Sequence, residues 1–140
     1  MYLCQQNFYP MRKILLLSVA LLLLFSSCQE SLEKRAQRAL QEYSDKNCPI
    51  FFGDYVVMDS CAFDIPTLTL NYYYHFRGAM DNDSALQREQ MRQTLLDALK
   101  NETTTRVYKE ASYNFRYTYF SEKEPSKKLF EALFTPEDYK

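Results

Sequence analysis

Four cysteines and one histidine carry most of the side-chain chemistry available to this sequence. A thiol can form a disulfide, bind a metal ion or be modified, and an imidazole can bind a metal ion or move a proton. A structural zinc site needs four ligands, usually with closely spaced cysteines, and neither Cys48 nor Cys61 lies in a C-x-x-C pair. The single histidine, His75, is distant from both. We therefore expect no metal site and no cofactor.

Cys48 and Cys61 flank a run of strand-forming residues, so a tight hairpin could bring them together. An oxidising compartment outside the cytoplasm would permit a disulfide between them. That bond needs a specific Cα separation, which the sequence does not supply. Two interpretations stay open: a disulfide, or two buried free thiols that behave as small apolar groups.

His75 lies in the segment PTLTLNYYYHFRG, residues 66–78, where apolar and polar side chains alternate strictly. Such alternation predicts a strand with one packed face and one wet face. If a second alternating segment, 105–120, is its neighbour, polar and aromatic side chains from both strands share the wet face. A solvated sheet face is the ordinary interpretation, and a contact face for a ligand or partner is the alternative. The candidate contact residues are Tyr73, His75, Arg77, Arg116 and Phe120.

Catalytic motifs are missing from the sequence: we find no nucleophile elbow, P-loop, dinucleotide fingerprint or H-E-x-x-H pair. We therefore predict no catalytic residues and no enzymatic activity. The net charge of −1 argues against a nucleic-acid-binding surface, which would be clearly basic.

The N-terminal region has the three parts of a secretory signal. Arg12 and Lys13 precede an apolar core of 12 residues, 14–25, and small side chains lead to Cys28. The core is too short to span a membrane, which takes ~20 residues. A buried core helix is the alternative, but no polar stripe interrupts the run. We predict a signal peptide over residues 1–27, with Met11 as the true start, and a single domain over residues 28–140.

The segment LFSSC, which ends at Cys28, resembles the lipobox of bacterial lipoproteins in the relaxed form known from Bacteroidetes-type proteins. The usual Leu three residues before the cysteine is replaced by Phe25. The resemblance implies cleavage before Cys28 and attachment of acyl chains such as palmitate to it, which would anchor the protein durably in a membrane. Gln29 replaces the Asp that retains enterobacterial lipoproteins in the inner membrane. By the same resemblance, the protein would be held at the outer membrane and face the periplasm.

The remaining pattern predicts an α+β domain with the order α-β-β-α-β-β. We expect a four-stranded antiparallel sheet with two helices packed on one face, its apolar side filled by tyrosines such as Tyr74 and Tyr119. The predicted helices are 30–47 and a second that starts at Ser84 and carries Met91 and Leu95 on its apolar stripe. The predicted strands are 50–60, 66–78, 105–120 and 129–135, with the first two joined as a hairpin and residues 137–140 expected as a tail. This strand pattern also resembles small exported bacterial proteins of unassigned function over residues 46–139, which implies fold and export only.

These observations together predict a lipid-anchored cell-envelope protein with a binding or assembly role. Its partners would be the membrane, through lipidated Cys28, and an envelope protein, but not a nucleic acid. One alternative is a small-ligand binder that uses the polar sheet face around His75 and Arg116. An enzyme of unknown type is a third alternative, for which no residue constellation argues.

Replacing the lipobox cysteine tests the predicted anchor. We expect Cys28→Ala to stay uncleaved and to lose the mature membrane-anchored form, because no thiol remains to accept lipid. Metabolic labelling with a tagged fatty acid measures this, with Cys48→Ala as the matched control. Normal labelling of Cys28→Ala would show that the lipobox assignment is wrong.

Overall fold

The computed structural model describes residues 30–140, so the predicted signal peptide and Cys28 lie outside the described residues. Within this range the chain forms helices and strands in mixed order. The helices are α1 (Leu32–Asn47), α2 (Arg88–Asn101), α3 (Arg106–Glu110) and α4 (Pro136–Tyr139). The strands are β1 (Ile50–Phe52), β2 (Val56–Asp64), β3 (Thr69–Phe76), β4 (Asn114–Ser121) and β5 (Lys128–Phe134).

The five strands form one mixed sheet in the order β1-β2-β3-β4-β5. Neighbouring strands are antiparallel except for β3 and β4, which run parallel with Thr69 opposite Asn114 and Tyr72 opposite Tyr117. The predicted four-stranded antiparallel sheet is therefore wrong, although the α+β class is correct. The segment between β3 and β4 contains α2 and α3, and a connection of this length can return the chain to the starting end of β3.

The additional strand comes from the run 50–60, which the alternation pattern treated as one strand. Gly53, with a φ of +66°, lies in the turn between β1 and β2 and lets the chain reverse there. The predicted hairpin between the following strands is confirmed, because β2 and β3 pair antiparallel. Since strand propensity is similar on both sides of Gly53, the sequence pattern gave no separate signal for β1.

Two further segments differ from the prediction. The expected strand 105–120 begins only at Asn114, because residues 106–110 form α3 and Ser112 turns the chain with a φ of 63°. The C-terminal residues, expected as a tail, form α4. Its start is fixed by a capping box in which Asp138 accepts from the Thr135 backbone N–H and Thr135 in turn caps the helix, with Pro136 at its first turn.

The hydrophobic core lies between the helices and one face of the sheet, here named the helix-covered face. It is built largely from aromatic side chains because alternate residues of β3, β4 and β5 point to the same side. Its most deeply buried members are Leu70, Phe76, Phe115 and Phe134, each at most 1 % exposed.

Specific hydrogen bonds attach the helices to this core. The hydroxyl of Tyr139 in α4 donates to the backbone oxygen of Tyr113 at 2.6 Å, and its ring packs edge-on against Phe115. Arg88 and Arg92 of α2 donate to backbone oxygens of β5. These guanidinium groups occupy acceptors that an edge strand would otherwise expose.

Single truncations at two consecutive residues of β5 test which of them faces the core. We expect Phe134→Ala to lower the free energy of unfolding by ~3–5 kcal/mol, because a fully buried aromatic ring leaves a cavity. Leu133→Ala, one residue earlier and 38 % exposed, should cost less than ~1 kcal/mol. Urea denaturation measures both values. Equal costs would contradict the register of β5.

Candidate functional site

Four tyrosines form a stacked row across the parallel strand pair, here named the tyrosine ladder: Tyr72, Tyr74, Tyr117 and Tyr119. Because β3 and β4 are parallel, Tyr72 lies opposite Tyr117 and Tyr74 opposite Tyr119. The ring centroids are 5.2 Å apart in the first pair and 4.6 Å apart in the second. Tyr74 also stacks diagonally on Tyr117 at 6.5 Å. The four rings therefore form a continuous aromatic surface on the helix-covered face.

Tyr72, Tyr74 and Tyr117 of the tyrosine ladder are half-buried and Tyr119 is buried, yet their hydroxyls lack partners among the described residues. Within residues 30–140, none of the four makes a hydrogen bond to protein, whereas the hydroxyls of Tyr113 and Tyr139 are both bonded. Burial raises the pKa of all four phenols above the ordinary value of 10.0, to about 12 for Tyr119. Neighbouring ladder hydroxyls raise the pKa of Tyr74 further. The ladder hydroxyls are therefore neutral near pH 7, and each can donate and accept a hydrogen bond.

A groove beside the ladder, here named the α2 groove, has a volume of about 420 Å³. Phe76 and Tyr119 of the sheet form its floor, and Met91 and Leu95 of α2 form one wall. The groove is open to solvent and mainly apolar. Its remaining lining residues are Val56, Met80, Ala85, Gln87, Gln90 and Thr94.

Exposed aromatic side chains continue this apolar surface toward the first hairpin. Phe52 of β1 is 52 % exposed, and its ring centroid lies 6.3 Å from that of Tyr74. Large exposed apolar groups next to a groove are typical of an interaction surface. The α2 groove, the tyrosine ladder and Phe52 together define the candidate binding surface.

The contact residues predicted from the sequence lie on the other face of the sheet, as the alternation requires. His75 is adjacent to Phe120 in the strand register, and Arg116 is adjacent to Asn71. Nδ1 of His75 lies 2.7 Å from Oδ1 of Asp59, and Nε of Arg77 donates to Glu122 at 2.9 Å.

These side chains do not converge on a described cavity. Tyr73 and Phe120 are both half-buried, and no ring contact between them occurs among the described residues. Arg77 instead lies over the exposed ring of Phe51, 5.7 Å from its centroid. Hydrogen-bonded pairs such as His75–Asp59 and Arg77–Glu122 thus occupy part of the polar face, and its role as a contact face stays a prediction.

Of the three predicted cysteine sites, the structure describes two. Cys28 lies outside the described residues, so its lipidation stays a prediction. Cys48 and Cys61 are unlinked in the structure, with Cys48 half-buried and Cys61 buried. Among residues 30–140 there is no cluster of side chains suited to hold a metal ion, and no helix long and apolar enough to cross a membrane.

Sequence reasoning did not single out the candidate binding surface, because its residues resemble core residues. Tyr74 and Tyr119 were interpreted as packing, and Met91 and Leu95 as the buried stripe of a helix. That interpretation is correct, because Tyr119 is 6 % exposed and the half-buried side chains of Tyr74, Met91 and Leu95 pack against the core. Tyr119, Met91 and Leu95 line the α2 groove as well. The available signal was the density of tyrosine, a ring with a polar tip, on a face expected to be apolar.

The chain belongs to the family Domain of unknown function (DUF8479), whose sequence pattern matches residues 31–130. A comparison with curated proteins finds no match. The family assignment therefore defines a class of domain without naming an activity.

Several solved structures share the fold at low sequence identity. The Pseudomonas aeruginosa protein PA3611, described as secreted, matches with a TM-score of 0.63 at 12 % identity, covering 79 % of this chain and 99 % of that one. The type II secretion system pilotin AspS of Vibrio cholerae matches with a TM-score of 0.58 at 17 % identity, covering 76 % and 91 %. The type 2 secretion system pilotin EpsS of Vibrio vulnificus gives 0.59 at 10 % identity, covering 77 % and 94 %. The resemblance to Bacteroidetes-type lipoproteins stays a prediction.

The raised phenol pKa values predict a loss of stability at high pH. Unfolded tyrosines have a pKa near 10, whereas burial raises the pKa of Tyr119 in the folded protein to about 12. The neutral phenol therefore favours the folded state fully below pH 10, and this contribution to the free energy of unfolding is lost as pH rises through 12. We expect Tyr119→Phe to reduce the slope of unfolding free energy against pH in this window by roughly 1 kcal/mol per pH unit.

The slope is measured by urea denaturation across the alkaline range. The matched control is Tyr43→Phe, since Tyr43 is 47 % exposed and should leave the slope unchanged. If Tyr119→Phe and the parent protein showed equal slopes, the raised pKa of Tyr119 would be refuted.

Proposed function

We propose that this protein is a lipid-anchored envelope protein that binds an amphipathic segment of another envelope protein in the α2 groove. The observation that carries the proposal is the groove itself, an open, mainly apolar channel of about 420 Å³. Tyr119 lines it, and the ladder hydroxyls make no hydrogen bond to protein within residues 30–140. A helix that lays its apolar side into such a groove is a common mode of peptide recognition.

The lining favours a protein segment as the occupant. Met80 and Met91 are flexible and can adjust to side chains of different shape. The polar lining residues Gln87, Gln90 and Thr94 carry no charge, so the groove has no charged side chain that would pair with an ionic group of the occupant. Apolar side chains spaced along one face of a helix would fill the channel, and the ladder hydroxyls would bond polar groups at the edge of that face.

The expected location agrees with such a role. If Cys28 carries the lipid, only a few residues separate the membrane from Leu32, which keeps the start of α1 within ~15 Å of the bilayer surface. A partner bound in the α2 groove would then be held at the membrane. The structural likeness to two type II secretion pilotins supports an assembly role in an envelope complex, and the outer membrane facing the periplasm is the proposed location.

The polar sheet face is less suited to bind a small ligand. His75 and Arg77 already have carboxylate partners at hydrogen-bond distance, so a ligand would have to displace Asp59 or Glu122. The α2 groove needs no such displacement, because the hydroxyl of Tyr119, the ladder residue that lines it, bonds no other residue in the range 30–140.

Site-specific photocrosslinking in the native envelope tests the proposed groove. The photoreactive residue is placed at position 90 or, as the control, at position 93. Gln90 lines the groove, whereas Gln93, on the same helix, lies outside the lining and donates to Asp97. We expect a discrete adduct from position 90 that yields peptides of one envelope protein, and none from position 93. The groove-filling substitution Ala85→Trp should remove the adduct, while Ala98→Trp should retain it.

Three results would contradict the proposal. One is equal adduct yield from positions 90 and 93, another is an adduct unaffected by Ala85→Trp, and the third is an adduct to phospholipid only. Circular dichroism of each variant verifies that the fold is retained.

A further inference from the structure

Cys48 and Cys61 are both hydrogen-bonded to one residue in the last turn of α1, Ser44. The backbone N–H of Cys48 donates to the backbone oxygen of Ser44 at 3.0 Å, and the backbone N–H of Cys61 donates to the Ser44 hydroxyl at 3.2 Å. Ser44 itself is buried. One residue therefore brings together the segment that follows α1 and the middle of β2.

The hydrogen bonds to Ser44 bring Cys48 and Cys61 close together, which the sequence alone does not show. The thiol of Cys61 also contacts α1, since Sγ lies 3.5 Å from the backbone oxygen of Leu40. Burial and, to a smaller extent, the neighbouring Cys48 thiol together raise the pKa of Cys61 to about 11. The electrostatic influence of Cys48 on Cys61 agrees with the closeness that the Ser44 hydrogen bonds impose.

We propose that Cys48 and Cys61 are oxidised to a disulfide after export, and that this bond fastens the C-terminal end of α1 to β2. It is independent of the α2 groove, which contains neither cysteine. The proposal thus holds or fails separately from the proposed function.

The two thiols differ in exposure, and this difference determines which of them reacts first in the thiol–disulfide exchange. Half-buried Cys48 is the accessible nucleophile, and its thiolate attacks one sulfur of a disulfide donor such as a periplasmic dithiol oxidase, releasing the donor's other sulfur as a thiolate. Cys61 then loses its proton to water and attacks Sγ of Cys48, which releases the second donor sulfur. The cysteines lose two electrons and two protons in total, and the donor disulfide becomes a dithiol.

The bond would close a loop that contains β1 and the first half of β2. This loop carries the exposed rings of Phe51 and Phe52, and closing it restricts the unfolded chain. We expect reduction to lower the folding equilibrium constant by about 100-fold, as for other loops of similar length.

Thiol counting on the full chain tests the proposal. Cells that express the wild-type gene are quenched in acid, and the denatured protein is labelled with a polyethylene glycol maleimide before or after reduction. Reduction should expose two additional thiols in the wild type. In Cys48→Ser or Cys61→Ser the remaining partner should be labelled without reduction.

Two results would overturn the inference. One is full labelling of both thiols in the quenched wild type before any reductant is added, a measurement that needs no variant to fold. The other is an equal effect of reductant on the urea midpoint of the wild type and of the Cys48→Ser/Cys61→Ser double variant.

Discussion

The parallel pairing of β3 with β4 is the constraint on which the rest of this structure depends. It sets Tyr72 beside Tyr117 and Tyr74 beside Tyr119, so that four rings stack instead of alternating with smaller side chains. An antiparallel pair would reverse β4 and give each tyrosine a different neighbour. The parallel pair also requires a long connection, and that connection supplies α2, the wall of the groove.

The two halves of the helix-covered face consequently differ in how well they are covered. Around Cys61, α1 packs closely and bonds the sheet through Ser44 and Leu40. Beside Tyr119, α2 stands off enough to leave an open channel, while its arginines are fastened to the outer edge of β5. A tightly packed half thus lies beside a half that is left open, which agrees with the proposed binding of a partner.

Much of the local structure followed from side-chain pattern. The α1 stripe, the β2–β3 hairpin and the opposite faces of the alternating strands all appeared as expected, because each depends on neighbours close in sequence. The prediction was wrong at Gly53, where one apparent strand becomes two, and at residues 106–110, where strand-like residues form α3. It was also wrong for the direction of β4, because period-two alternation is the same in parallel and antiparallel strands.

The sequence by itself determined which side chains share a face, that the chain carries a signal-like segment ending at Cys28, and that no familiar catalytic motif is present. These properties depend on residue order alone. Only the tertiary structure decided that β3 and β4 run parallel, that their tyrosines stack, and that α2 leaves a groove beside them. The physical reason is that strand order and helix placement are set by packing between segments far apart in the chain, where local periodicity carries no information.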